Sequence, residues 1–128
     1  MTDAEQRAVL DSLGSALARL RDALAQPKTE WTRDASIQRF EFSFELAWKA
    51  IRRFGRDEGV EPPSPRQALK AALRLGWIED DSAWLTMLDD RNRTSHTYRE
   101  STAEEIYSRL PGHLERLSGL ARRLQALR

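Results

Sequence analysis

IQRFEFSFELAWKAIRRF, residues 37–54, is the stretch whose reading decides the fold. Ile37, Phe40, Phe44, Trp48, Ile51 and Phe54 recur at three- and four-residue steps, the spacing that puts side chains on one face of an α-helix. A large aromatic at nearly every turn predicts a helix at the centre of a bundle, because only a many-sided core covers that much apolar area. The pattern predicts a helix from about Asp34 to Glu58, stopped by Gly59 and the EPPSP run that follows.

Working outward toward the start, Gln26 to Arg33 reads as a loop, with Pro27 closing an earlier helix over about residues 3–25. That helix carries Val9, Leu10, Leu13, Leu17, Leu20 and Leu24 on one stripe. Toward the end, Ser64, Pro65 and Gln67 form a restart of N-cap, first helical position and capping box. Leu69, Leu73 and Leu75 follow, and Gly76 is positioned to close this short helix. Asp80 or Asp81 is the expected cap of a fourth helix bearing Trp84, Leu85 and Leu88. Ser101 and Glu104 read as a capping box for a fifth, marked by Ile106, Leu110, Leu114, Leu117, Ala121 and Leu124. Pro111-Gly112 is expected to kink or interrupt it. No strand pattern, repeat or low-complexity tract is present. The expected fold is all-α: an up-and-down four-helix-type bundle of about five helices, one of them short, with residues 1–128 as one domain.

The 128 residues contain no cysteine, which excludes disulfides, thiolate metal sites and cysteine nucleophiles. The polar start MTDAEQRAVL has no apolar signal core, and no apolar run reaches bilayer length, so a cytoplasmic protein without a membrane partner is expected. A net charge of +1 excludes a polycation that coats nucleic acid by bulk charge, so any such contact must be local. There is no glycine-rich phosphate loop, no HExxH and no serine on a glycine-flanked elbow. With His96 and His113 the only histidines, no metal site can be assembled from the sequence.

One segment differs from the amphipathic background. Arg91-Asn92-Arg93-Thr94-Ser95-His96-Thr97-Tyr98-Arg99 has neither an acidic nor an aliphatic residue. It offers fixed positive charge, one group that titrates near neutrality and several hydroxyl or amide groups. Those are the parts needed to hold a phosphodiester and move a proton beside it.

Arg91-Asn92, His96 and Tyr98 resemble the R-x4-H-x-Y signature of HEPN-domain proteins, and Arg39 to Lys49 is similar to that family's second helix. More narrowly, nearly the whole chain resembles the HEPN partner of a minimal nucleotidyltransferase in two-gene toxin–antitoxin modules. That group is also called nucleotidyltransferase substrate-binding proteins. The resemblance implies a metal-independent endoribonuclease with no cofactor, in which His96 acts as general base or acid, Arg91 neutralises the phosphate and Asn92 orients the pair. It implies that the partner nucleotidyltransferase adds AMP to Tyr98. Arg93 and Arg99 are then expected RNA phosphate contacts. Because each chain brings one well-placed histidine, a two-fold homodimer would supply both acid and base, with the fourth helix, residues 91–99 and part of the fifth helix at the interface. The alternative is a non-catalytic subunit that presents a substrate to the nucleotidyltransferase.

Simpler readings of the same residues stay open. His96 could cap the end of the fourth helix. Arg91 and Arg93 could pair with Asp89, Asp90 or Glu100 at the surface. Tyr98 could be a packing residue with a wet hydroxyl. The Phe40, Phe44 and Trp48 stripe reads as core, His113 as solvated, and Glu41 with Glu45, one turn apart, as an acid pair or, the preferred reading, an anchor for the arginines.

Overall fold

The computed structural model describes residues 3–79 and 82–127. The helices are α1 (Ala4–Leu24), α2 (Glu30–Arg56), α3 (Pro65–Arg74), α4 (Ser82–Asn92) and α5 (Glu100–Ala126), and among the described residues there is no strand. The fold is an all-helical bundle. As expected, α2 is its centre: Phe40, Phe44 and Ile51 are wholly enclosed and α1, α3 and α5 pack around them. Leu13, Leu17 and Leu20 of α1 face Ile106, Leu110, Leu117 and Leu124 of α5 across one contiguous apolar core. Each such side chain contributes ~1.5–3 kcal/mol by leaving water.

Helix ends follow local chemistry where that chemistry has no competitor. Asp3 caps α1, accepting from Gln6 N at 2.8 Å while Gln6 returns a bond to Asp3 N. Ser64 caps α3 by accepting from Gln67 N, with Pro65 in its first turn. Gly76, just past α3, takes φ +76°, and Trp77 N reaches back to Ala72 O at 2.8 Å; glycine enters this left-handed turn without strain. At the end of α2, Val60 N donates to Gly55 O, so close that a Cβ on Gly55 would lie 2.7 Å from Val60 O.

Three expectations need correction. First, α2 begins at Glu30, so half of the expected 26–33 loop is helix. Its cap is a threonine pair: Thr29 Oγ1 accepts from Thr32 N, and Thr32 Oγ1 accepts from Thr29 N. Threonine replaces the glutamate or glutamine that marks this box in sequence. Second, the Ser101/Glu104 box is not formed. The residue preceding α5 is Arg99, which makes no side-chain cap, and Glu104 is spent on Lys28 and Arg33. Third, α5 runs without interruption through Pro111, whose exposed ring costs one ladder bond in a helix of 27 residues clamped by its buried face. The expected cap at Asp80 or Asp81 lies outside the described residues. No helix is long and apolar enough to cross a membrane.

Candidate functional site

The polar segment turns the chain from α4 into α5. Helix α4 ends at Asn92, a 3₁₀ turn covers Thr94–His96, and α5 starts two residues after Tyr98. His96 N bonds Arg93 O at 2.9 Å and Arg99 N bonds His96 O at 3.2 Å, so the backbone curls through two tight turns instead of fraying. Thr94 Oγ1 donates to Glu41 Oε2 at 2.5 Å, stitching the turn to α2.

The far side of the turn is fixed by Arg33. This arginine is buried at the start of α2 and donates to Glu100 at 2.6 and 3.2 Å, to Glu104 and to Asp34. The bonds it donates to Glu100 push its pKa further up, against the opposing effect of burial, so it is a permanent cation. In return Arg33 holds the Glu100 carboxyl below the usual carboxylate range. The result anchors the residue directly after Arg99.

Within this frame the side chains divide. Arg91 is half-buried: its Nη2 donates to Glu45 Oε1, its Nη1 to Asn92 Oδ1 at 3.2 Å, and its guanidinium lies 5.8 Å from the centre of the Phe44 ring. His96 and Tyr98 stand outward. Tyr98 is 75% exposed, and the two rings meet edge-on with centroids 6.2 Å apart. The Arg99 guanidinium sits 5.8 Å over the Tyr98 ring. Phe42, Asn92 and Ser95 line a groove of about 440 Å³ with Glu41, Glu45, Arg91 and Thr94. The expected anchoring of the arginines by Glu41 and Glu45 is therefore met at Arg91 through Glu45, while Glu41 holds Thr94.

Arg93 is placed differently from the other two arginines. Its Nη1 donates to Glu105 at 2.9 Å and its Nη2 to Asp90 at 3.0 Å, which raise its pKa in that order. One of the simpler readings, a pairing of Arg93 with Asp90, is thus realised.

The sequence reading missed the group beneath the turn. Asp90 is wholly buried; its Oδ1 accepts from Arg93 and from Arg109 Nη2 at 2.7 Å, and its Oδ2 from Arg109 Nε at 2.8 Å. His113 Nε2 lies 2.7 Å from the same Oδ2. Burial works to raise the Asp90 pKa, but the bonds from Arg109, His113 and Arg93 together outweigh it and hold the carboxyl well below its ordinary range. An ionised acceptor requires the proton on Nε2 of His113, which fixes the tautomer. His113 is 2% exposed and stacks on Phe40 with ring centroids 5.2 Å apart. The expectation of a solvated His113 is corrected. The signal was in the spacing: Ile106, Leu110, His113 and Leu117 share one helical face, so His113 belongs to the buried stripe. Among the described residues no cluster of histidines and carboxylates is arranged to hold a metal ion.

A helical bundle that projects a histidine and a tyrosine from a turn braced on both sides defines a protein that presents one small polar site. The chain belongs to the family described as nucleotidyltransferase substrate binding protein like, whose sequence model matches residues 8–126. A curated relative from Haemophilus influenzae, named "Probable ribonuclease HepT", is 34% identical over 95 residues, or 70% of this chain. That match spans 65% of the relative's own length. A crystal structure from Thermus thermophilus superposes with TM-score 0.83 at 38% identity, covering 88% of this chain and 98% of the other. A second solved structure, from Haemophilus influenzae, superposes with TM-score 0.80 at 28% identity, covering 91% of this chain and 98% of that one. It is described as revealing the fold of a substrate binding domain of a nucleotidyltransferase. The resemblance read from Arg91 to Tyr98 and from the aromatic second helix thus holds at the level of the family.

Proposed function

We propose that this chain is the HEPN toxin of a toxin–antitoxin pair, a metal-independent endoribonuclease silenced when a partner minimal nucleotidyltransferase adds AMP to Tyr98. The observation that carries the reading is the placement of Arg91 and Asn92 at the end of α4 and of His96 and Tyr98 on the braced turn that follows, with His96 and Tyr98 exposed. His96 takes the proton of the attacking 2′-hydroxyl as general base, or gives one to the leaving oxygen as general acid, Arg91 offsets the charge that develops on the phosphate, and Asn92 steadies the Arg91 guanidinium. Arg99, beside the Tyr98 ring, is the second phosphate contact. Arg93, the other expected phosphate contact, already spends Nη1 on Glu105 and Nη2 on Asp90. A name of ribonuclease for a relative at 34% identity supports this reading. The family description supports the alternative, a non-catalytic subunit that binds the substrate of a nucleotidyltransferase.

The deciding experiment expresses the chain alone and with His96→Ala. The reading expects growth arrest and RNA cleavage from the parent, and relief of both by the variant. Losing a general acid or base typically costs ~10²–10⁴ in rate. The substitution leaves the core untouched, since His96 is exposed. A folded His96→Ala protein that still arrests growth and still cuts RNA would sink the assignment. A parent that neither cuts RNA nor arrests growth, yet binds a nucleotidyltransferase, would decide for the alternative.

A further inference from the structure

We propose that Glu45 is the positioning residue for Arg91, itself aimed by Trp48, so that a pair of residues on α2 sets the phosphate-binding cation of the site. The inference rests on the ribonuclease reading of the turn and extends the anchoring of Arg91 by Glu45 to the step that reading assigns to Arg91.

The geometry runs in one direction. Trp48 Nε1 donates to Glu45 Oε2 at 3.1 Å. The other carboxylate oxygen accepts from Arg91 Nη2. Glu45 and Trp48 lie three residues apart on the same helix, so the indole fixes the carboxylate locally, without a long-range contact. Arg91 comes from α4, and this ion pair ties its head to the central helix. A free arginine samples many rotamers. Here the guanidinium is held on three sides, by Glu45, by Asn92 Oδ1 and by the Phe44 ring. Of its five N–H donors two are committed to these partners, and the rest remain for a phosphate. The groove of about 440 Å³ that Arg91, Glu45 and Asn92 line is where that phosphate would sit.

The same carboxylate has an opposing effect that makes the proposal decidable. A negative charge next to the guanidinium weakens attraction for a polyanion at long range. If Glu45 were only a competitor for Arg91, removing its charge would help. If Glu45 positions Arg91, removing the charge frees the guanidinium and hurts the step that needs it, because catalysis depends on donors fixed before the charge develops.

The test measures Glu45→Gln, Trp48→Phe, Arg91→Ala and the Glu45→Gln/Arg91→Ala double variant. Cleavage of a fluorescein-labelled single-stranded oligoribonucleotide gives kcat and KM. Binding of the all-deoxy oligonucleotide of the same sequence, which has no 2′-hydroxyl to react, gives affinity. Glu45→Gln should lower kcat by about tenfold or more and weaken binding of the deoxy oligonucleotide. Trp48→Phe, which keeps an aromatic ring and loses the donor, should move kcat the same way by less. In the binding assay the penalty of Arg91→Ala should shrink toward none once Glu45 is glutamine, because the two act as one unit. A generic charge effect would instead leave that penalty equal in both backgrounds. A rise in kcat/KM for Glu45→Gln, or an additive cycle, overturns the proposal even if the parent cuts RNA. No cleavage by the parent, together with a coupled binding cycle, overturns the ribonuclease reading and leaves the positioning role standing. Circular dichroism melts check that Glu45→Gln and Trp48→Phe remain folded.

Discussion

Substituting Asp90→Asn removes the charge on which the turn is seated, while keeping the size of the side chain. Asp90 is wholly buried and accepts four charge-assisted bonds, one from Arg93, two from Arg109 and one from His113. An amide at this position keeps one acceptor and turns an NH₂ group toward groups that also donate. Breaking a buried ion pair from one side typically costs ~3–5 kcal/mol. The lower end applies here. The side chains of Arg93 and Arg109 are 38% and 35% exposed and can recover water, whereas His113 is sealed against Phe40 and cannot. A loss of about 3 kcal/mol in a domain of this size lowers Tm by roughly 10 °C.

The pH dependence carries its own sign. The folded-state carboxyl is held below its ordinary range by its donors, so its stabilising contribution is complete above the unfolded value near ~4. It is lost as pH falls from there through the lower folded-state value. The gap in stability between parent and Asp90→Asn should therefore be full at neutral pH and narrow under acid. Urea unfolding at pH 7, followed through the tryptophans and repeated at progressively lower pH, is the assay. A neutral-pH gap below ~1 kcal/mol, the scale of an ordinary surface pair, would refute the claim that Asp90 seats the turn. So would a gap that widens on acidification.

Three further outcomes are expected. Coexpression with the cognate nucleotidyltransferase should add mass in units of AMP to the parent, and Tyr98→Phe should lack that mass and escape silencing; labelled Tyr98→Phe in a mass spectrum would remove the acceptor assignment. Sedimentation at tens of micromolar, a range in which obligate dimers persist, should give a dimer whose interface includes α4 and the turn, and a monomer alone would count against a shared active site. Gly55→Ala drives a Cβ to 2.7 Å from the Val60 carbonyl oxygen, which is backbone and cannot swing away, so a loss of ~1–3 kcal/mol in thermal unfolding is expected, and a neutral effect would show that this turn can open.

What the sequence determined by itself is the part governed by local periodicity and by residue type. The stripe from Ile37 to Phe54 specifies a central helix, since those apolar groups can leave water together only on one helical face. Ser64 and Gly76 act within one turn of themselves, so their roles were legible. Residues 91–99 were legible as a surface segment because a run without aliphatic side chains cannot be core. Helix ends with tertiary competitors were not legible: Glu104 abandons a local cap for Lys28 and Arg33, which lie more than 70 residues away. Nor could one-dimensional spacing assign partners to charges. It could not divide the three arginines of the turn into one braced by Glu45, one seated on Asp90 and one left beside Tyr98. That division needs α2, α4 and α5 packed together, because the Coulomb energy that chooses each pair depends on distance through space and on how much water the packing has removed.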